Sequence, residues 1–178
     1  RKQVLQGSHR PFSELSMHMA AYEKRKDVKA VLHAHCPEAI ALSMLGYEVL
    51  PTMIAEAVVS LGDRIPTLAY FYPGSEEGLK ELGNLLAYYD VIVLGNHGVI
   101  SVGKDLEQAY LRMELCEHLA GIQRRTLTVG HPTSIPDEDI ERLLHKRKKA
   151  GLGPEARGLE LPDRLPQLVG PCSGPIQG

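Results

Sequence analysis

The sequence predicts a mixed α/β domain, and three observations predict it. Short runs of β-favouring aliphatic and aromatic residues, at Val28 to His35, Thr67 to Tyr72, Val91 to Leu94 and Val99 to Val102, are interspersed with segments whose apolar residues recur at helical spacing. Gly, Pro, Ser and Asp stand at the junctions, where turns and helix caps use them. With 178 residues and 43% hydrophobic content, the chain buries one real core and leaves little room for a second.

Composition narrows the function classes. A formal net charge of -2 gives no general electrostatic case for nucleic acid or an anionic membrane, so the expected ligand is small. No apolar run approaches the roughly 20 residues that span a bilayer, and Arg1-Lys2-Gln3 does not lead into a signal-peptide core. Cys36, Cys116 and Cys172 are scattered without C-x-x-C spacing, which argues against a disulfide framework and a thiolate zinc site and fits a cytoplasmic protein. The chain starts in charged sequence without Met, as the C-terminal part of something longer would.

In order along the chain, Ser13 reads as the N-cap of a first helix after the helix-stopping Pro11, with Met17, Ala21 and Tyr22 at helical spacing. Glu14 then falls in the first turn, where the helix dipole stabilises a carboxylate, and His18 lies four residues on along the same face. Locally, Glu14 is either a capping-region carboxylate or an acid held for chemistry. A charged turn at 23–27 leads into the strand ending at His35. Alternate strand residues share a face, so His33 and His35 aim at one point, while Cys36 turns to the other face as a packed residue. Two imidazoles on a rigid strand supply two of the three nitrogens that an open catalytic zinc site uses; ordinary packing of the rings is the alternative. Pro37 opens a short, mostly buried helix ending before Gly46, whose first amides would favour an anionic substrate near the histidines.

Met53 to Leu61 is a further helical stretch closed by Gly62, and the strand Thr67 to Tyr72 ends in a Pro73-Gly74 turn. Ser75 caps a helix running to about Tyr88, with Glu76 and Glu77 in its first turn. The buried strand Val91 to Leu94 runs into Gly95-Asn96-His97-Gly98 before the next strand. Gly and Asn explain themselves as turn residues, but a turn does not need His97. With His33 and His35 it makes a three-histidine set; a plain tight hairpin is the competing reading.

Asp105 with Gln108 resembles a capping box for a helix to about Arg125, with Leu106, Ala109, Tyr110, Met113, Cys116 and Ala120 at apolar spacing. Glu117 and His118 inside it read as ordinary surface or satisfied groups. Pro136 opens a last helix with Ile140, Leu143 and Leu144 inward, ending in a basic patch, His145 to Lys149, that opposes the helix dipole and is not read as a nucleic-acid site. From Gly151 onward, Pro154, Pro162, Pro166, Pro171 and Pro175 among glycines argue against regular structure. The expected organisation is a domain over 1–150 and a tail over 151–178.

Three blocks in order carry a resemblance: Pro11-Phe12-Ser13-Glu14 with His18, Val31-Leu32-His33-Ala34-His35-Cys36-Pro37, and Leu94-Gly95-Asn96-His97-Gly98-Val99 followed by Gly103-Lys104 and Leu106-Glu107. Together they resemble the class II aldolase/adducin family, over about residues 10–150, and most closely its L-fuculose-1-phosphate aldolase-like members.

That resemblance implies a three-layer α/β/α sandwich around a largely antiparallel sheet, and a cyclic homotetramer with active sites at subunit interfaces. It implies zinc, with Mn2+ or Co2+ as other divalent candidates, on His33, His35 and His97. Glu14 matches the acidic residue that occupies the open metal position at rest and then transfers a proton to or from the enediolate carbon. Ser13 matches one of a serine pair at the substrate phosphate, the other place being taken by Phe12. The implied reaction is reversible cleavage of a short phosphorylated ketose to dihydroxyacetone phosphate and an aldehyde. Three features depart from the pattern or leave it open. The family's Gly-Asn and Thr-x-x-Gly phosphate-cradling segments precede the Ser-Glu block, whereas here only ten residues precede Pro11, so that part is expected in a longer chain. The tyrosine acid given by a neighbouring subunit falls near Thr52, and Tyr47 is out of register. Methylthioribulose-phosphate dehydratases share the triad and the Glu; pentose-phosphate 4-epimerases usually have Asp at that place. An adducin-like interaction domain, which keeps the fold without the metal, is the reading from another class.

Overall fold

A computed structural model describes residues 12–161. In chain order the elements are α1 Leu15–Lys24, β1 Ala30–Ala34, α2 Pro37–Met44, a 3-10 turn Pro51–Met53, α3 Ala55–Leu61, β2 Thr67–Leu68, α4 Glu76–Leu86, β3 Val91–Leu94, β4 Gly98–Gly103, α5 Leu106–Leu127, α6 Asp137–Lys149 and a 3-10 turn Glu155–Arg157. The four strands form one sheet in the order β1-β4-β3-β2. β1 with β4 and β4 with β3 are antiparallel and β2 with β3 is parallel, so the sheet is largely antiparallel, as expected, with one parallel pair at its edge. The connection explains it: α4 carries the chain across before it re-enters the sheet, and a crossover helix makes a parallel pair.

Strand period two sorts the core into two faces. Val91, Val93 and Val99 pack with Ala39 and Leu42 of α2, Leu61 of α3 and Met113, Cys116 and Leu119 of α5. Ile92, Leu94, Ile100 and Val102 pack with Met17 and Ala21 of α1 and Leu82, Leu85 and Leu86 of α4. The result is the α/β/α sandwich, with α6 laid against α3. Among the described residues no helix is long and apolar enough to cross a membrane.

Several local expectations change. The strand at Thr67 stops at Leu68, whose carbonyl is taken by Gly95 N–H, and Tyr70 and Tyr72 are exposed in the loop beyond. Ser75 caps α4 by accepting from Gly78 N–H, as expected. The Asp105–Gln108 box forms: Asp105 Oδ1 accepts from Gln108 N–H at 2.8 Å, and Gln108 Oε1 accepts from Lys104 N–H at 3.0 Å. Of the apolar positions at helical spacing in α5, Ala109, Met113, Cys116 and Ala120 are buried, whereas Leu106 and Tyr110 are exposed. Within the basic run of α6, Arg147 is buried. The tail begins with structure of its own, since the turn Glu155–Arg157 brings Arg157 onto the carbonyls of Ala87 and Tyr88. Pro11, and positions 162–178 of the tail, lie outside the described residues.

Candidate metal centre

Three elements from different parts of the chain meet at one end of the sheet. His33 is the fourth residue of β1 and shares the face of Val31, toward α1; His35 follows one residue beyond the strand. β4 lies beside β1 with Ala34 opposite Val99, so the β3–β4 turn delivers His97 to the same end. Asn96 takes the left-handed conformation there, φ 57°. Gly98 is required by the close approach of the strands, because a Cβ at that position would stand 2.4 Å from the Ala34 carbonyl oxygen and 3.1 Å from His33 Cε1.

Glu14 completes the group. The helix starts one residue later than expected, so Glu14, not Ser13, holds the N-cap position of α1, and its carboxylate makes no cap bond. It turns instead to the histidines: Glu14 Oε1 lies 3.0 Å from His97 Nε2, 3.5 Å from His33 Nε2 and 3.8 Å from His35 Nε2. The four potential ligand atoms all fall within 4.8 Å of one another.

The donor chemistry suits a cation. His33 Nδ1 sits 3.0 Å from the Val99 carbonyl, which can only accept, so Nδ1 carries the proton and Nε2 presents its lone pair to the cluster. That Nε2 is buried with no hydrogen-bond partner among the described residues, which is costly unless something else satisfies it. Burial, the largest influence, lowers the His33 pKa, keeping the imidazole neutral as a ligand must be. Burial pushes the Glu14 carboxyl up, but the His97 hydrogen bond and the nearby imidazoles outweigh it and hold the group below the usual carboxylate range. A carboxylate oxygen and an imidazole nitrogen 3.0 Å apart require a proton or a cation between them.

Around the cluster, His18 is not a member: it stacks edge-on against Phe12, with ring centroids 5.0 Å apart. Ser13 lies exposed at the lip of a cavity of about 130 Å³ whose wall includes Glu14, Phe71, Gly74 and His97. The first amides of α2 do not face a ligand. Glu117 of α5 reaches across and accepts from Glu38 N–H at 2.9 Å and Ala39 N–H at 3.0 Å, filling the helix terminus that follows His35. By sequence that supporting carboxylate reads as an ordinary group, and no local pattern marks it, since its partners are 78 and 79 residues away.

The class II aldolase and adducin N-terminal domain family matches residues 1–124. The chain belongs to this family. Among curated relatives of this aldolase and adducin family member, the 5-deoxy-D-ribulose 1-phosphate aldolase of Bacillus thuringiensis is 29% identical over 81% of this chain and 67% of its own length. The L-fuculose phosphate aldolase of Escherichia coli K12 is 32% identical over 80% and 66%. A solved L-fuculose 1-phosphate aldolase superposes with a TM-score of 0.72 at 26% identity, covering 81% of this chain and 67% of that one. The sugar-phosphate aldolase of Thermotoga maritima gives 0.62 at 31%, covering 72% and 60%. The chain spans roughly two thirds or less of the lengths of the relatives it matches, 59% for the L-fuculose phosphate aldolase of a Methanococcus maripaludis strain. Class II aldolases are metal-dependent, in keeping with the cluster of three imidazoles and a carboxylate.

Proposed function

We propose that the protein is a metal-dependent lyase that reversibly cleaves a short ketose 1-phosphate, of the fuculose or 5-deoxyribulose type named for its relatives, to dihydroxyacetone phosphate and an aldehyde. The observation that carries this reading is the Glu14 carboxylate oxygen seated 3.0 to 3.8 Å from three imidazole nitrogens. His33, His35 and His97 hold the ion through Nε2, zinc being the expected occupant and Mn2+ or Co2+ the alternatives. When bound, a dication stabilises the negative charge that develops on substrate oxygens as the carbon–carbon bond breaks.

Glu14 moves the proton. In cleavage it delivers one to the ketose C3 that keeps the electron pair of the broken C3–C4 bond, and in synthesis it removes that proton. Ser13, at the lip of the cavity, binds the substrate phosphate. The C4 hydroxyl proton needs an acceptor of its own. Where the family places a tyrosine this chain has Thr52, whose hydroxyl is 2.8 Å from Ser134 Oγ, and a cyclic homotetramer with shared active sites would bring a group from the neighbouring subunit.

The test is product analysis of the full-length protein loaded with zinc and given L-fuculose 1-phosphate or 5-deoxyribulose 1-phosphate. Equimolar dihydroxyacetone phosphate and aldehyde support the reading. Loss of water without carbon–carbon cleavage would assign it to the dehydratases instead, and no turnover by metal-loaded protein would overturn it.

A further inference from the structure

At the end of the sheet opposite the histidines, four arginines converge on one carboxylate. Asp90, on the loop before β3, is 1% exposed. Arg25 from the end of α1 lies 3.1 Å from its Oδ1, and Arg112 of α5 and Arg147 of α6 lie 2.8 and 3.1 Å from its Oδ2. Arg157, from the turn after α6, stands 3.8 Å from Oδ1. Arg25 also pairs with Asp27 at the rim. Among the described residues these two aspartates are the carboxylates that pair with the four guanidiniums, and Lys104 adds a fifth cation to the same opening.

Positive charge is therefore in excess around a partly enclosed space. A cavity of about 280 Å³ opens here, lined by the cations Arg25, Lys104, Arg112 and Arg157, the carboxylates Asp27 and Asp90, and the glycine-rich run at 151–153. Burial first, and then the neighbouring arginines, weaken the hold of Arg157 on its proton, while Arg112 is lowered mainly by burial against the pull of Asp90. Arg157 Nε is buried and has no acceptor among the described residues. A buried donor without a partner among the described residues, beside guanidiniums that share one buried carboxylate, favours an anion, since guanidinium forks match oxyanions in pairs.

We propose that this arginine cavity is a second ligand site, separate from the histidine cluster, and that it takes a phosphate group, either inorganic phosphate or a phosphomonoester. Four lining cations, with Arg147 behind them on Asp90, against two carboxylates suit a dianion better than a single carboxylate, and the volume admits a phosphate with a small organic substituent. Because Arg25, Arg112, Arg147 and Arg157 come from α1, α5, α6 and the segment after it, an anion here ties those elements together.

The test is calorimetric titration and thermal melting of the full-length protein with inorganic phosphate and with glycerol 1-phosphate, against malonate at matched ionic strength. Each is repeated in Arg157→Gln, in the rim variant Lys104→Gln, and in His97→Ala. Expected are a phosphate-binding event besides any at the Ser13 substrate-phosphate site, a rise in melting temperature, affinity for that event at least tenfold weaker in Arg157→Gln and several-fold weaker in Lys104→Gln, and no change in it in His97→Ala. Tighter binding of either phosphate source identifies which one the cavity accommodates. Absence of binding, loss of binding in His97→Ala, indifference to both Arg157→Gln and Lys104→Gln, or preference for malonate would each overturn the proposal.

Discussion

Glu14 Oε1, 3.0 Å from His97 Nε2, is the atom on which the proposed chemistry turns. Glu14→Gln keeps the shape and removes the proton carrier, so kcat is expected to fall roughly 100- to 10,000-fold while the metal content stays that of the wild type; steady-state kinetics beside elemental analysis checks both halves. Gly98→Ala tests the scaffold in the same place. The added Cβ meets the Ala34 carbonyl at 2.4 Å, a backbone atom that cannot swing aside. Forcing β1 and β4 apart is expected to cost about 1–3 kcal/mol in denaturant unfolding, with metal affinity falling as His33 shifts. At this scale the three histidines were legible because strand alternation and an unnecessary side chain in a turn are local signals. Ser13 as N-cap was misread for a reason local rules do not carry: Glu14 takes the cap position and gives up the cap bond to reach imidazoles 19 to 83 residues away.

Among elements, α2 holds the end of β1 in place, and α5 holds α2. Glu117 satisfies two amides at the start of α2, and Glu38 pairs with Arg124 about two turns further along α5. Glu117→Ala leaves those amides unmet, and the expected loss is about 1 kcal/mol, as for removal of an N-cap, read as a shift in the denaturation midpoint. Helices α1, α4, α5 and α6 were legible from apolar spacing and cap residues. The strand at Thr67 was overextended because a run of aliphatic and aromatic residues says nothing about whether a partner strand continues beside it; β3 offers pairing only as far as Leu94 opposite Leu68. Arg112 and Arg147 were illegible for a related reason: an arginine within a helix reads as surface until its buried carboxylate, here Asp90, is placed.

Across the whole molecule, the two ends of the sheet do different work, with histidines and a carboxylate at one and arginines around Asp90 at the other. Asp90→Ala removes the shared acceptor and leaves buried guanidiniums facing one another, so a loss of about 3–5 kcal/mol is expected in urea unfolding, with the histidine cluster intact in what remains folded. Metal and fold are linked in the same way at the other end. A ligand at 100 times its dissociation constant stabilises by about 2.7 kcal/mol, so chelation is expected to lower the melting temperature and added zinc to restore it. The α/β/α layering followed from sequence because period-two strands and amphipathic helices are local properties. The parallel β2–β3 pair did not, since it depends on where the α4 crossover returns.

The most direct measurement is plasma mass spectrometry of the purified full-length protein beside His97→Ala. About one zinc or comparable divalent ion per chain, lost in the variant while its fold is retained by circular dichroism, is the predicted result. A well-folded wild type that binds no stoichiometric metal even after incubation with zinc, manganese and cobalt would contradict the metal centre, and with it the proposed lyase.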